Sequence, residues 1–388
     1  MDIEARIKRR QRRDGEPRLF VDYDSLSPVA HTDDPVNCGP VLERLLDYLD
    51  PVFDGHLPPN AYVYGPKGSG KSAVVTALFD RLVRVSSVNN AAIHTTTRVQ
   101  ATFAPRFVYV DARETTSAFA FYHAVLDALA DESVPKQGIK TEALQSRLKE
   151  TLDGPKTGAI VAVDHLGEPG TLDGEAFVDL CAGLPSTVSW LAIGRAPPDE
   201  TVLTDYTADE VQFEPYQSQV LIDVLMTRAS AAGSRRTLDH RLARDIAEWA
   251  DGDAHDALAA LFGAADEAVR NRHRSITAAD VAAGIAAVPQ PCVSLGRVLA
   301  LPENRQQVLH ELLALRPDQQ ESVQAASQHI AKSVDLSATT VKRILYELAD
   351  LGVFDRVPAD RTSDHGRPPS QLEPRFPTRV FQKLHDLR

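Results

Sequence analysis

The eight residues Gly65-Pro66-Lys67-Gly68-Ser69-Gly70-Lys71-Ser72 constrain this chain more than any other stretch. They fit the pattern G-x-x-x-x-G-K-[ST]. Its glycines let the backbone curl with N–H groups turned inward, and the helix that follows adds its positive N-terminal end. The flanks agree: "AYVY" before the loop is a strand pattern, and "SAVVTALF" after it is a helix pattern. A chance glycine turn has no such strand–loop–helix frame. The expectation is a site for ATP or ADP, with Lys71 reaching the β/γ-phosphates and the Ser72 hydroxyl ligating Mg²⁺.

Such a loop needs a carboxylate on a second strand to hold the metal side of the site. In "GAIVAVDHLGEPG", residues 158–170, an apolar run ends at Asp164, the candidate Mg²⁺-side carboxylate. Ligands bind at the C-terminal ends of strands in open α/β sheets. Asp111, ending "RFVYVD", is the rival, but it lies closer to the loop in sequence. His165 occupies the position where a second carboxylate would polarise the attacking water. A neutral imidazole can accept a proton but lacks the fixed negative charge. Glu168 reads as a solvated loop carboxylate. The expected outcome is ATP binding with slow hydrolysis, so whether the chain is an enzyme stays open.

The strands "AYVY", "RFVYVDARE", "GAIVAVDHL" and "STVSWLAIGRAPP" are nearly continuously apolar and alternate with helical patterns. That suits a parallel sheet covered on both faces, a three-layer α/β domain. After "DEVQFEPY" the pattern turns wholly helical, with Thr277 and Asp280 forming a capping-box-like start to one helix. The expected division is a basic arm 1–18, a nucleotide-binding core 19–205, a helical unit 206–290 and a third unit 297–388. With 388 residues, 43% hydrophobic and 25% charged, the chain is long and apolar enough for several globular cores. It has no run of 18 apolar residues and no apolar segment in its basic N-terminus, so neither a membrane span nor a secretory signal is expected. Cys38, Cys181 and Cys292 are odd in number and far apart, which suits a reducing compartment and packing roles.

The net charge of −12 is uneven. Residues 1–18 hold seven Lys/Arg against four Asp/Glu, and residues 337–388 hold nine against seven. An acidic body with basic ends argues against wholesale coating of nucleic acid but allows contact through the ends. In "DLSATTVKRILYELADLGVFDRV", Ser337 reads as the N-cap of a helix running to about Asp350. Val341, Ile344, Leu345 and Leu348 form its apolar face. Thr339, Thr340, Lys342 and Arg343 are left outward near the half that enters the major groove in helix–turn–helix proteins. "DRTSDHGRPPS" would be a wing, with Arg361 and Arg367 able to reach phosphates. The basic arm 6–13 would add salt-sensitive affinity.

Taken in order, the phosphate loop, the Asp164 strand, "VQFEPYQSQVLIDVLMTRA", "WADGDAHDALAALFGAADEA" and the terminal helix–turn–helix resemble the archaeal ORC-type replication initiators, which are AAA+ ATPases. The resemblance covers roughly residues 17–388. It implies an α/β P-loop AAA+ core, a helical lid and a C-terminal winged helix. It also implies a cytoplasmic, nucleoid-associated protein that binds origin-like duplex DNA and acts with a replicative helicase or related initiator subunits. By resemblance, Tyr216 and Arg228 fall where family members contact the nucleotide. Four departures stand out: His165 for a Glu, Arg195-Ala196 for an Asn near the end of the fourth strand, His255 for the lid Arg, and no Arg in "TVLTDYTADEV". Loss of an arginine finger alone can cost orders of magnitude in rate. The pattern implies ATP kept for binding. The alternatives are a regulatory paralogue that binds ATP and DNA without loading a helicase, and a P-loop signalling ATPase whose winged helix binds protein.

Overall fold

The computed structural model describes residues 22–93, 105–130, 132–154, 157–233, 237–358 and 370–387. They form two compact units, one of residues 31–215 and one of residues 22–30 with 216–387.

The first unit runs α1 (Gly39–Phe53), β1 (Ala61–Tyr64), α2 (Lys71–Ile93), β2 (Arg106–Asp111), α3 (Ala118–Leu129), α4 (Thr141–Thr151), β3 (Ala159–Leu166), α5 (Gly174–Cys181), β4 (Val188–Gly194) and β5 (Asp209–Gln212). The strands make a five-stranded sheet in the order β2-β3-β4-β1-β5, parallel throughout. Side chains alternate between its faces. Tyr62, Val108, Val110, Val161, Val163 and Trp190 meet Phe121, Leu126 and Phe177 from α3 and α5. Ala61, Val63, Ile160, Ala162, Leu191 and Ile193 meet Leu45, Leu49, Val74 and Phe79 from α1 and α2. This is the covered sheet that the apolar strands predict.

Two boundaries differ from expectation. The strand β5 lies beyond residue 205 yet pairs with β1 along its whole length. Its sequence, Asp-Glu-Val-Gln, is exposed except at Val211. An edge strand held by backbone pairing carries little hydrophobic signal. Residues 22–30, expected in the core, belong instead with the helical unit. Leu26 is fully buried in that unit's cluster, and the Tyr23 ring lies 5.4 Å from that of Phe262.

The second unit continues with α6 (Ser218–Ala232), α7 (His240–Ala250), α8 (Ala254–Arg270) and α9 (Ala278–Ala286). Thr277 and Asp280 do form a capping box at the start of α9. The Ala-rich α8 is buried on nearly every side. Small residues allow this: a Cβ on Gly284 of α9 would lie 2.3 Å from the Ala260 carbonyl oxygen of α8. After α10 (Leu295–Leu299) come α11 (Glu303–Ala314), α12 (Val323–Ile330), α13 (Ala338–Asp350), the antiparallel hairpin β6 (Phe354–Pro358) and β7 (Ser370–Pro374), and α14 (Thr378–Asp386). This is a winged helix. One apolar cluster runs through the lid helices and into it. The predicted helix from Ser337 is α13, with the Ser337 hydroxyl accepting from the Thr340 N–H. Its apolar face of Val341, Ile344, Leu345 and Leu348 is buried. The strand β7 is short, carries Pro374 and is only partly buried, so its pairing leaves little trace in the pattern. The basic arm and the wing residues Arg361 and Arg367 lie outside the described residues.

Candidate nucleotide site and DNA-binding face

The loop from Gly65 to Gly70 joins β1 to α2 at the C-terminal edge of the sheet. Gly65 has φ +150°, and a Cβ there would stand 2.2 Å from the Phe213 carbonyl oxygen. Only glycine lets the chain leave β1 so close to the end of β5. Gly68 and Gly70 also take positive φ, within the run of Pro66, Lys67, Gly68, Ser69 and Gly70 that carries the chain into α2. The Ser69 hydroxyl donates to the Pro66 carbonyl at 2.9 Å. The Lys71 ammonium is largely buried and folds over the loop, donating to the Gly65 and Pro66 carbonyls at 2.7 Å each. Ser72 follows in the first turn of α2.

Asp164 lies two residues before the end of β3 with its carboxylate turned inward; the residue is 1% exposed. Its Oδ1 accepts from the His165 N–H at 2.6 Å, and its Oδ2 accepts from the Tyr109 hydroxyl at 2.6 Å. The Ser72 hydroxyl is near enough to help lower its pKa. Burial alone would push its pKa up. The neighbouring His165 ring and the Ser72, Tyr109 and backbone donors outweigh burial and hold it below the ordinary carboxylate value. Burial and the adjacent carboxylate in turn push the Tyr109 phenol well above its ordinary range. The rival Asp111 is level with Asp164 in the sheet register, but its carboxylate is engaged by Arg113, whose Nε and NH2 donate at 2.9 and 2.6 Å. Thus Ser72 and Asp164 are brought together and Asp111 is turned to a structural partner.

His165 has φ +65°, within a break in the β3–β4 register between Val163 and Leu166. The break turns its ring toward Glu168, with Nδ1 3.2 Å from Oε1 and Nε2 3.6 Å from Asp164 Oδ2. Glu168 is not the solvated carboxylate that the loop suggests. Gly167 and Gly170, both at positive φ, fold the segment back. The Thr171 hydroxyl donates to the His165 and Glu168 carbonyls. The Glu168 side chain is left 4% exposed, with Arg195 NH2 2.5 Å from Oε1. Burial would raise its pKa; the His165 hydrogen bond and the Arg195 charge lower it to about 2. Sequence reasoning missed Glu168 and Tyr109. For Tyr109 the period-two pattern of β2 was the available signal; for Glu168 the signal was the pair of glycines.

The remaining candidates lie in the other unit. Tyr216 is half-buried and its N–H donates to the Gly252 carbonyl. Arg228 is buried, donating to the Ser27 and Ala30 carbonyls, and burial lowers its pKa. His255 is buried too. Its Nε2 accepts from the Leu295 N–H at 2.8 Å, so Nδ1 carries the proton and donates to Asp256 Oδ1 at 2.9 Å. His255 therefore ties the lid to the winged helix within that unit. On α13, Thr339 and Arg343 are exposed and Thr340 and Lys342 half-buried. Lys342 donates to Gln324 at 2.8 Å, and Arg343 pairs with Glu347. From β6, Arg356 lies over the Tyr346 ring of α13, 4.6 Å from its centroid, a cation that the sequence pattern did not single out.

A protein-family model described as "AAA ATPase domain" matches residues 39–274, well over half of the 388-residue chain. The chain belongs to the AAA ATPase domain family. It is similar to curated proteins named ORC1-type DNA replication protein. The one from Methanoregula boonei is 27% identical over 350 residues, covering 81% of this chain and 78% of that protein. The one from Pyrococcus furiosus is 24% identical over 338 residues, covering 81% and 77%. Two solved structures share the fold. The Aeropyrum pernix ORC1 protein in complex with DNA has a TM-score of 0.62 and 22% identity, over 95% of this chain and 97% of that one. The Aeropyrum pernix ORC2 protein in ADPNP-ADP complexes has a TM-score of 0.56 and 15% identity, over 95% and 98%. Within the AAA ATPase domain, the phosphate loop, Ser72, Asp164 and the His165–Glu168–Arg195 group all lie at one edge of one sheet. No helix among the described residues is long and apolar enough to cross a membrane.

Proposed function

We propose that the chain is an ATP-binding DNA replication initiator of ORC1 type, cytoplasmic and nucleoid-associated, whose ATP hydrolysis is slow or lost. One observation carries the nucleotide part. The folded phosphate loop presents Lys71, and the inward-facing Asp164 carboxylate, its pKa lowered in part by Ser72, lies at the same edge of the sheet. The oxygens of Ser72 and Asp164 are the hard donors that Mg²⁺ takes, so these two residues would hold it. There the ion would neutralise charge between the β- and γ-phosphates. The loop N–H groups and Lys71 bind and orient the phosphates, and Lys71 would exchange its carbonyl partners for them. Tyr216, Arg228 and His255 are proposed to border the nucleotide from the lid. Arg228 and His255 would do so only by giving up the carbonyl and amide partners they hold here.

Slow hydrolysis is supported by the chemistry at residue 165. His165, where a second carboxylate would stand, turns its Nδ1 toward the buried Glu168 carboxylate. Similarity to ORC1-type proteins over four-fifths of the chain supports duplex DNA at origin-like sites as the partner, read by Thr339, Thr340, Lys342 and Arg343, with Arg361 and Arg367 on the wing. A replicative helicase or related initiator subunits would be the further partners. The altered residues at 165, 195 and 255 also favour a second reading, a regulatory paralogue that binds ATP and DNA without loading a helicase. The test is nucleotide binding and footprinting with Lys71→Ala. That variant is expected to lose ATP binding and any ATP-dependent protection of duplex DNA. Undiminished ATP affinity would remove the assignment. A rapid single-turnover rate in the unaltered chain, not raised by His165→Glu, would remove slow hydrolysis.

A further inference from the structure

We propose that the winged helix carries a site for a divalent transition-metal ion of the zinc class, formed by His310 of α11 with His385 and Asp386 of α14, and that the ion clamps α14 to α11. The inference goes beyond the nucleotide-binding reading and does not depend on it.

Geometry comes first. The two helices bring together side chains 76 positions apart in sequence. His310 Nε2 lies 3.2 Å from Asp386 Oδ1. The His310 and His385 rings stack with centroids 4.4 Å apart and planes 20° from parallel. Each of the three side chains offers one ligand atom, and these atoms lie within 4.8 Å of one another. A tetrahedral ion with bonds of about 2.0–2.1 Å holds its ligand atoms about 3.4 Å apart. The His310–Asp386 edge is already close to that length. The stacked rings must splay for both to aim at one ion. The terminal torsion of a histidine is broad, so side-chain rotation supplies the splay.

The donors also sit on fixed elements. Val380, Phe381 and Leu384 bury one face of α14, and the His385 ring rests 5.8 Å from that of the fully buried Phe381, one turn earlier. Val308, Leu309 and Leu312 anchor α11 in the same way. Asp386 is the final residue of α14, where the aligned peptide dipoles leave partial negative charge. A carboxylate there is unfavourable by itself, and a cation is favoured. Lys383 in the same last turn is directed elsewhere, its ammonium lying over the Tyr23 ring, 5.1 Å from the centroid. A metal takes imidazole in its neutral form, in which the stacked rings do not repel.

The donor set selects the ion. Two imidazole nitrogens and one carboxylate suit zinc and its neighbours, whereas Mg²⁺ and Ca²⁺ prefer oxygen throughout. The Asp386 side chain is 62% exposed and that of His310 28%. An ion can therefore enter from solvent, and water can complete a fourth position. A second cluster, His255 with Asp256 and Cys292, also gathers three donors. Its histidine has both ring nitrogens engaged, one by the Leu295 N–H and one by Asp256, so an ion there would have to break both contacts.

The test is titration of the full chain, freed of metal with EDTA, first with Co²⁺ and then with Zn²⁺. Bound Co²⁺ is expected to give the intense visible bands of a four-coordinate ion, without the near-ultraviolet band of a thiolate ligand. Zn²⁺ should displace it, and excess Mg²⁺ should not. His310→Ala, His385→Ala and Asp386→Asn should each weaken Zn²⁺ binding about tenfold or more, because losing a ligand costs no less than losing a group that orients one. Asp386→Asn keeps the shape of an exposed side chain, so it carries the test if a histidine variant does not fold. Zn²⁺ should also slow amide hydrogen exchange along α14 in the unaltered chain and leave it unchanged in Asp386→Asn. A six-coordinate spectrum, a thiolate band, undiminished Zn²⁺ affinity in Asp386→Asn, or exchange in α14 that ignores Zn²⁺ overturns the proposal.

Discussion

At the scale of single residues, the strand end at Asp164 shows how neighbours decide a charge. Glu168 is the clearest case. Its ordinary pKa of 4.5 falls to about 2, because the His165 hydrogen bond and the Arg195 charge outweigh the burial that would raise it. Above pH 5 the group is ionised in both folded and unfolded chains and its stabilisation is fully present. Below 4.5 the unfolded chain takes up the proton first, and the stabilisation drains away until the folded value near 2 is passed. A fall from 4.5 to about 2 corresponds to roughly 3 kcal/mol. Urea unfolding of the unaltered chain and of Glu168→Gln should differ by an amount of that order at pH 7, and the gap should close toward pH 2.5. A constant gap would mean that the ion pair contributes little. Tyr109 offers a second prediction. Its hydroxyl aims the Asp164 carboxylate at 2.6 Å, and residues that orient metal-side ligands typically alter metal affinity about tenfold or more. Tyr109→Phe should therefore weaken nucleotide binding about tenfold in Mg²⁺ and leave it unchanged in EDTA. Equal loss in both conditions would assign Tyr109 to packing alone.

At the scale of elements, two contacts carry measurable weight. The helices α8 and α9 cross where Gly284 approaches the Ala260 carbonyl oxygen, with a Cβ 2.3 Å away. The obstruction is backbone, which cannot rotate aside as a side chain can. Gly284→Ala should destabilise the lid by about 1–3 kcal/mol, seen as a lower urea midpoint. A neutral result would show that the crossing has slack. The start of α13 rests on the Ser337 hydroxyl and the Thr340 N–H at 3.2 Å. Ser337→Ala should cost about 1 kcal/mol and weaken duplex binding, because Thr339 and Thr340 lie in the same turn. The elements most legible in the sequence are those with strong periodicity or a cap. These include β3, the capping box at Thr277, and α13 from Ser337 to Asp350. The strands β5 and β7 were not legible. Each is short and partly exposed, and its place comes from backbone pairing with β1 or β6.

At the scale of the whole molecule, the net charge of −12 coexists with basic ends. Affinity for duplex DNA should fall steeply with salt. Removing residues 1–18 should flatten the dependence of log affinity on log salt by several units. An unchanged slope would exclude the arm from the interface. The division into units was only partly written in the local pattern. The order of α/β core, helical stretch and third unit follows from composition and period along the chain; the lid and the winged helix are what the resemblance implies. The assignment of residues 22–30 to the helical unit does not, since Leu26 is an ordinary apolar residue until α6 and α8 bury it.

The amino-acid sequence by itself determined the phosphate loop, because its chemistry is local. Glycines, a lysine and a hydroxyl within eight residues specify a backbone nest and a helix start together. It likewise specified the covered parallel sheet, through unbroken apolar strands, and the amphipathic α13. Spacing along the chain favours Asp164 over Asp111 as the candidate carboxylate; tertiary structure adds that the Asp111 carboxylate is engaged by Arg113. It also turned Glu168 from a loop acid into a buried partner of His165 and Arg195. Those outcomes depend on register and burial between strands far apart in sequence. Such pairings are properties of the folded sheet and leave no trace in the spacing of residues along one strand.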